Sequence, residues 1–207
     1  MSVQFVLDWD GTVTVADTMD LIVREFGDAE LVDRFSDSFV DDSQPLPVTL
    51  QHVIESELAT VAAPLEEVVA WLLERVELRP GFVELAKRER LILLSSNVRQ
   101  LIEPVLDHFG VEAELVASDL VADGRSGWRI QIDGELCPVC GERCKRQKLP
   151  PGEVVYVGNG YSDRCSALAS ARVFARCGLA RYLDAIGAPY EPFGDFHQIA
   201  AALERSD

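Results

Sequence analysis

The sequence has few basic residues, and this shortage limits what the protein can bind. Lysine and arginine together number 19, against 35 aspartate and glutamate residues, so the formal net charge is −16. A surface this negative repels nucleic-acid backbones and anionic membranes, and we expect neither as a partner. A small anionic molecule remains a suitable partner, provided that a local positive site captures it.

Long apolar segments are also absent. No stretch approaches the roughly 18 consecutive apolar residues of a membrane-spanning helix. The first residues, MSVQFVLDWDGT, lack the basic and apolar segments of a secretion signal, so we expect a cytoplasmic protein with reduced thiols. The sequence leaves open whether the protein is a monomer or a homodimer.

The residues that are present favour an α/β fold. The chain has 207 residues, of which 48% are hydrophobic, enough to bury a core. Short apolar runs predict buried strands at 3–7, 91–94 and 154–157, and a fourth strand is predicted near 172–175. Helical patterns alternate with these runs, which predicts a doubly wound parallel sheet. Residues 114–133 predict two further strands in a hairpin.

One segment differs in character from the rest of the chain. Residues 17–79 contain a single glycine, Gly27, and their apolar residues recur at helical spacing. About four helices and no strand are expected there, which predicts a small helical bundle inserted after the first strand. The predicted domains are an α/β core at 1–14 and 80–207 and a helical unit at 15–79.

Polar clusters follow three of the predicted strands. They are Asp8 with Asp10, then Ser95 with Ser96 and Asn97, and then Gly158 with Asn159 and Asp163. Because the carboxyl ends of parallel strands lie at one edge of a sheet, we expect a single site there.

The motif Asp8-Trp9-Asp10-Gly11-Thr12 carries the strongest chemical signal. One carboxylate of such a pair can attack a phosphorus atom, while the other protonates the leaving oxygen and later activates water. The hydroxyl and backbone N–H of Thr12 can bind phosphate oxygens. Taken alone, the motif also fits an ordinary acidic turn after a strand.

The order of the motifs resembles the haloacid dehalogenase superfamily of phosphohydrolases. The matching segments are DWDGTVT (8–14), LILLSSN (91–97), CGERCK (140–145) and VVYVGNGYSD (154–163). The position of the helical insert is similar to that of the C1 cap in the phosphoserine-phosphatase-like branch, subfamily IB. Asp17, the Cys-x-x-x-Cys-Lys run and the tail at 173–196 resemble the methionine-salvage phosphatases that act on 2-hydroxy-3-keto-5-methylthiopentenyl-1-phosphate.

The resemblance implies a Mg²⁺-dependent phosphomonoester hydrolase that works through an aspartyl-phosphate. Asp8 would be the nucleophile and a Mg²⁺ ligand. Asp10 would be the general acid and base, with its backbone carbonyl on Mg²⁺. Lys145 would neutralise charge on Asp8 and the phosphoryl group, with Lys148 as the alternative lysine. The phosphoryl oxygens would be bound by Thr12, Ser95, Ser96, Asn97 and Lys145.

Asn159 and Asp163 would complete the metal site. The superfamily usually has Asp at position 159, and the Asn found here brings no negative charge. We therefore predict weaker Mg²⁺ binding, either in an active enzyme or in a catalytically weakened protein that binds a phosphate ligand.

The resemblance also limits the substrate to a small phosphorylated metabolite. A sugar phosphate of the methionine-salvage type is expected, and phosphoserine or another phosphorylated amine is the alternative. A substrate carboxylate would need a positive group from the helical unit, for which Arg24 and Arg34 are the candidates. Asp17 is interpreted either as a substrate contact or as a helix N-cap.

Three cysteines crowd into one short segment, at Cys137, Cys140 and Cys144. A structural zinc ion needs four ligands, and this segment supplies three. Cys165 or His197 can be the fourth only if the fold brings it close. The sequence therefore favours thiols without a metal.

Overall fold

The computed structural model of the protein describes residues 3–38 and 48–205 and contains a mostly parallel sheet. Its strands are β1 (Gln4–Leu7), β2 (Leu91–Val98), β3 (Glu114–Ala122), β4 (Arg129–Gln131), β5 (Val154–Gly158), β6 (Arg172–Ala175) and β7 (Glu191–Pro192). The order across the sheet is β4-β3-β2-β1-β5-β6-β7. Neighbouring strands are parallel except in the predicted hairpin of β3 and β4. The α/β prediction is confirmed.

Helices alternate with the strands, as the sequence pattern predicts. They are α1 (Thr18–Phe26), α2 (Ala29–Ser38), α3 (Leu50–Leu58), α4 (Leu65–Leu73), α5 (Phe82–Ala86), α6 (Arg99–Phe109), α7 (Arg164–Ala167), α8 (Cys177–Ile186) and α9 (Phe196–Glu204). Helices α1 to α4 all lie between β1 and β2, and we call this stretch the helical insert. Within the described ranges, no helix is both long and apolar enough to cross a membrane.

Both faces of the sheet are covered by apolar side chains. Val6 and Leu7 are successive residues of β1, and both are fully buried. Because side chains alternate along a strand, they belong to different clusters: Val6 to one with Leu179 and Leu183 of α8, and Leu7 to one with Ile22 of α1. Burial on both faces explains why the core strands are continuous apolar runs.

The structure departs from the sequence prediction at two places. Strand β2 does not end at residue 94 but continues through the polar residues to Val98. Its pairing with β3 is irregular between Leu94 and Val98, so the Ser95–Asn97 segment lies in a distorted strand end rather than in a loop. Helices α8 and α9 and strand β7 have no counterpart in the prediction.

The connection from β4 to β5 contains no α-helix. After the cysteine-rich loop, the chain makes one turn of 3₁₀ helix at Lys145–Lys148 and then enters β5. A parallel strand is usually reached through a longer helical crossover. The position of Lys145 therefore depends on contacts of the loop rather than on a helix.

Candidate active site

The carboxyl ends of β1, β2 and β5 bring the predicted polar clusters together. β1 lies between the other two strands, so Asp8 stands at the centre of the site. The backbone N–H of Asp8 donates to the carbonyl oxygen of Val157 at 2.9 Å, which holds the turn after β1 beside β5. Strands β2, β3 and β4 lie on one side of β1, and β5, β6 and β7 lie on the other. Open α/β sheets bind their ligands at such a point, where the strand order reverses.

A buried lysine joins two buried carboxylates here. Lys145 Nζ donates to Asp8 Oδ1 in a very short contact and to Asp163 Oδ1 at 2.8 Å. Asp8 and Lys145 are each 4% exposed, and Asp163 is fully buried. The lysine that reaches Asp8 is therefore Lys145, and Lys148 makes no such contact.

Burial and the neighbouring charges both shift the pKa values of Asp8 and Lys145. Burial raises the pKa of Asp8, the charge of Asp163 adds to the effect, and Lys145 opposes it, so that the pKa is about 7. Burial would lower the pKa of Lys145, but the carboxylates of Asp163 and Asp8 more than offset it and raise the pKa. Lys145 thus stays protonated, and Asp8 can lose its proton near neutral pH.

Asp163 is held in place by several donors besides the lysine. The hydroxyl of Tyr156 donates to Oδ1 at 2.7 Å, and the backbone N–H groups of Asn159 and Gly160 donate to Oδ2 at 2.9 and 3.0 Å. A Cβ at Gly158 would lie 2.6 Å from Asp163 Oδ2, so glycine is required for this approach. Asp163 is therefore held in one orientation, in which it accepts from Lys145.

Asp10 is held by the start of the helical insert and by β2. Its Oδ1 accepts from the backbone N–H of Thr18 at 2.8 Å and also from the Thr18 hydroxyl. Its Oδ2 accepts from Asn97 Nδ2 at 3.0 Å. Burial raises the pKa of Asp10 despite these hydrogen bonds, which suits a group that has to donate a proton.

The residues expected to bind phosphoryl oxygens take different positions. Ser96 and Asn97 line an open cavity beside Asp8. The Thr12 hydroxyl is buried and donates to Asn159 Oδ1 at 3.0 Å. The Ser95 hydroxyl is also buried and accepts from the backbone N–H of Asn97 at 3.0 Å. In this structure the Thr12 and Ser95 side chains support their neighbours, and Ser96 and Asn97 face the cavity.

The oxygen atoms at this edge of the sheet suit Mg²⁺. Asp8, Asp10 and Asn159 line the same cavity and offer carboxylate, carbonyl and amide oxygens. Mg²⁺ is usually held by one or two carboxylates together with water and substrate phosphate. A Cβ at Gly11, where φ is +68°, would lie 2.4 Å from Asn159 Nδ2, so the glycine leaves room for the Asn159 side chain. The residues present therefore fit the ion.

The cavity has a volume of about 350 Å³ and lies between the sheet edge and the helical insert. The insert contributes acidic and apolar residues to its wall: Asp17, Met19, Asp20, Phe35, Leu50, Val53, Ile54 and Glu57. Among the described residues of the lining, the basic one is Arg181 of α8. Arg24 and Arg34 do not line the cavity, and Arg24 pairs with Asp33 at 2.8 Å on the surface.

Two acidic residues of the insert have a distinct environment. Asp17 caps α1 by accepting from the backbone N–H groups of Met19 and Asp20 at 3.0 and 3.1 Å, and it also lines the cavity. The N-cap interpretation is thus confirmed, and the residue remains placed for a substrate contact. Glu57 is buried, and burial together with the charge of Asp20 raises its pKa to about 7 against the effect of Arg24.

Sequence reasoning missed Arg79, a buried residue that holds the turn after β1. Its guanidinium donates to the carbonyl oxygens of Thr12 at 2.7 Å, Gly11 at 2.8 Å and Thr14 at 3.1 Å. Arg79 is far from this turn in the sequence and stands in no motif. The sequence signal for Arg79 was its position directly before Pro80, where the helical pattern ends.

The chain is similar to several known proteins. The family model described as haloacid dehalogenase-like hydrolase matches residues 5–168. A 2-hydroxy-3-keto-5-methylthiopentenyl-1-phosphate phosphatase of Geobacillus kaustophilus is 28% identical over 224 residues, covering 100% of this chain and 99% of that protein. A polyol phosphate phosphatase of Saccharomyces cerevisiae is 24% identical and covers 96% of this chain and 91% of its own length.

A similar fold occurs in a solved structure described as a phospho-aspartyl intermediate analogue of phosphoserine phosphatase. It has a TM-score of 0.71 and 16% sequence identity, and the match covers 98% of this chain and 99% of that one.

Proposed function

The chain belongs to the haloacid dehalogenase-like hydrolases, and from this premise we propose a Mg²⁺-dependent reaction through an aspartyl-phosphate. The protein is a phosphoric monoester hydrolase, whose substrate is a small phosphorylated molecule. The observation that carries the proposal is the buried Lys145 between Asp8 and Asp163, with Asp10 beside them at the mouth of one cavity.

The first step is attack by a carboxylate oxygen of Asp8 on the substrate phosphorus. The phosphorus–oxygen bond to the leaving alcohol breaks, and Asp10 gives its proton to that oxygen. Lys145 keeps its charge beside Asp8 and offsets the negative charge that collects there. Asp8, Asn159 and the backbone carbonyl of Asp10 would hold Mg²⁺, with Asp163 behind them, and the ion would supply further positive charge for the phosphoryl group.

The second step returns the enzyme to its starting state. Asp10, now without its proton, takes a proton from a water molecule, and the oxygen of that water attacks the phosphorus of the aspartyl-phosphate. The bond to Asp8 breaks, and inorganic phosphate leaves. Thr18 and Asn97 hold Asp10 in one orientation for both proton transfers.

The cavity wall indicates which substrates suit the enzyme. Met19, Val53 and Ile54 provide an apolar surface, and the carboxylates of Asp17, Asp20 and Glu57 can accept hydrogen bonds from hydroxyl groups. We therefore propose a sugar-like phosphate with an apolar end, such as the 2-hydroxy-3-keto-5-methylthiopentenyl-1-phosphate in the name of the Geobacillus relative.

The same carboxylates make a phosphorylated amine the second candidate. They favour a substrate ammonium group and disfavour a carboxylate, which argues against phosphoserine itself. In the described ranges the insert contributes no lysine or arginine to the cavity, and residues 39–47 contain neither. A cytoplasmic location and a monomeric or homodimeric state remain predictions from the sequence.

Phosphate release from a matched panel tests the proposal. The panel contains 2-hydroxy-3-keto-5-methylthiopentenyl-1-phosphate, a polyol phosphate, phosphoethanolamine and phosphoserine, each with and without Mg²⁺. Asp8→Asn should abolish release, whereas Asp20→Asn, the same chemical change at the cavity wall, should keep it and shift KM.

Two results would count against the proposal. Equal release by the Asp8→Asn variant would show that Asp8 is not the nucleophile. No release from any phosphate ester, by folded protein at high Mg²⁺, would favour the alternative of a phosphate-binding protein. Stabilisation of the fold by phosphate would then identify that role.

A further inference from the structure

Four cysteine side chains converge at one point next to the catalytic lysine. The sulfur atoms of Cys137, Cys140, Cys144 and Cys165 all lie within 4.8 Å of one another. Four thiolates around zinc at about 2.3 Å stand about 3.8 Å apart in a tetrahedron. The sulfurs of Cys137 and Cys165 are 3.8 Å apart, so this pair already has the spacing of a zinc site.

Only the fold reveals the fourth ligand. Cys137, Cys140 and Cys144 come from the loop after β4, and Cys165 comes from the first turn of α7. The sequence favoured thiols without a metal because the loop alone supplies three ligands. The arrangement of β5 and α7 removes that objection.

Cys137 and Cys140 have the Cys-x-x-Cys spacing that is common in zinc sites. The backbone N–H groups of Val139 and Cys140 point at the sulfur of Cys137. Gly141 donates its N–H to the Cys137 carbonyl oxygen at 2.8 Å and has φ of +76°, a left-handed conformation that favours glycine. The backbone thus holds Cys137 and Cys140 in a tight turn.

We propose that these four cysteines bind one structural Zn²⁺ ion. Thiolate ligands select zinc over the hard Mg²⁺ expected at Asp8, so the two metal sites are chemically distinct. A disulfide is the competing use of such a cluster. It requires sulfurs about 2.05 Å apart, and the Cys137–Cys165 distance is 3.8 Å.

The position of the ion gives it a role in the active site. Cys144 directly precedes Lys145, and Cys165 follows Asp163 by two residues. The ion therefore ties together the two segments whose side chains meet in the Lys145–Asp163 ion pair. Because no α-helix connects β4 to β5, this tie replaces the support that a crossover helix would provide.

The same loop also reaches the helical insert. The Glu142 carboxylate accepts from the backbone N–H of Leu50 at 3.2 Å, and Arg143 donates to Gln51 Oε1 at 3.0 Å. Both partners lie in the first turn of α3. An ordered loop thus stabilises one wall of the cavity as well as Lys145.

Metal analysis of the purified protein, kept reduced and dialysed without chelator, tests the proposal. We expect about one zinc per chain, as in other closed four-cysteine sites. Cys140→Ser, at an exposed ligand, should lose most of the zinc while the protein stays folded. Cys177→Ser, at an exposed cysteine outside the cluster, should keep it. Replacement by Co²⁺ should give the visible absorption of tetrahedral thiolate coordination.

The positioning role rests on the proposed function, but zinc binding does not. Asp8→Asn should lose phosphatase activity and keep its zinc, so the two proposals fail independently. Cys140→Ser should lower kcat more than it raises KM, and it should expose residues 134–149 to proteolysis. Protein with free thiols that contains neither stoichiometric zinc nor a Co²⁺ spectrum would overturn the inference. A disulfide within the cluster, found by mass spectrometry under reducing conditions, would do the same.

Discussion

Replacing Asn159 with aspartate tests the most unusual feature of the proposed metal site. Asn159 Oδ1 accepts from the Thr12 hydroxyl, and its backbone N–H donates to Asp163. A carboxylate has the same shape and accepts the same hydrogen bond, so Asn159→Asp changes the charge and little else. It adds one negative charge beside the carboxylates of Asp8 and Asp10.

The charge should strengthen Mg²⁺ binding. One unit charge and a divalent ion about 4 Å apart attract by about 2 kcal/mol even in a water-like dielectric. Since 1.4 kcal/mol is tenfold in an equilibrium constant, the Mg²⁺ concentration for half-maximal activity should fall about 10- to 30-fold. Without Mg²⁺ the new carboxylate repels its neighbours, so the free energy of unfolding should drop by about 1–2 kcal/mol.

A Mg²⁺ titration of phosphate release, paired with thermal unfolding with and without Mg²⁺, measures both effects. Ser162→Asp is the control, since it puts the same charge at the cavity wall on a residue that we do not place among the ligands. If Asn159→Asp needs as much Mg²⁺ as the natural protein while remaining folded, Asn159 is not a metal ligand. An equal gain in Ser162→Asp would show that any nearby charge suffices.

Three further substitutions test the buried charges. Lys145→Met leaves two buried carboxylates without their cation, so the free energy of unfolding, measured with urea at pH 8, should fall by about 3–5 kcal/mol. An unchanged urea midpoint would contradict the ion pair. Arg79→Met leaves several buried carbonyl groups unpaired, so we expect the free energy of unfolding to fall by about 2–4 kcal/mol and activity to be lost. A stable, active variant would show that the turn after β1 keeps its conformation without Arg79. Glu57 has a pKa of about 7 in the folded state and 4.5 as its ordinary value, so the folded protein binds the extra proton and its stability falls as pH rises from about 4.5 through 7. Glu57→Gln should therefore raise the free energy of unfolding by about 2 kcal/mol at pH 8 and by almost nothing at pH 4. Equal gains at both pH values would refute the raised pKa of Glu57.

Much of the catalytic end of the sheet could be predicted from the sequence. Parallel strands carry whatever follows them to one edge, so Asp8, Asn97 and Asn159 had to come close once the strands were recognised. The choice of Lys145 over Lys148 came from a family resemblance, and the contact with Asp8 agrees with it. One part that failed was the length of β2, which depends on an irregular pairing with β3 that no residue pattern at 95–98 indicates.

The sequence by itself determined the order of the core strands and the position of the helical insert, but not α8, α9 or β7. Apolar runs without polar interruption make strands that must be covered on both faces, and helical spacing in a glycine-poor segment makes the insert. These are local patterns, and each can be read within one segment of the chain. The site residues that follow these strands could be predicted as well, because parallel strands all end at the same edge of a sheet.

The tertiary structure decided which distant groups meet. The clamp of Arg79 on the turn after β1 joins residues far apart in the chain, and so does the meeting of Cys165 with the cysteine-rich loop. No periodicity records such contacts, because they depend on how the loops pack after the sheet has formed. The same holds for the raised pKa of Glu57, since burial and neighbouring charge exist only in the folded chain.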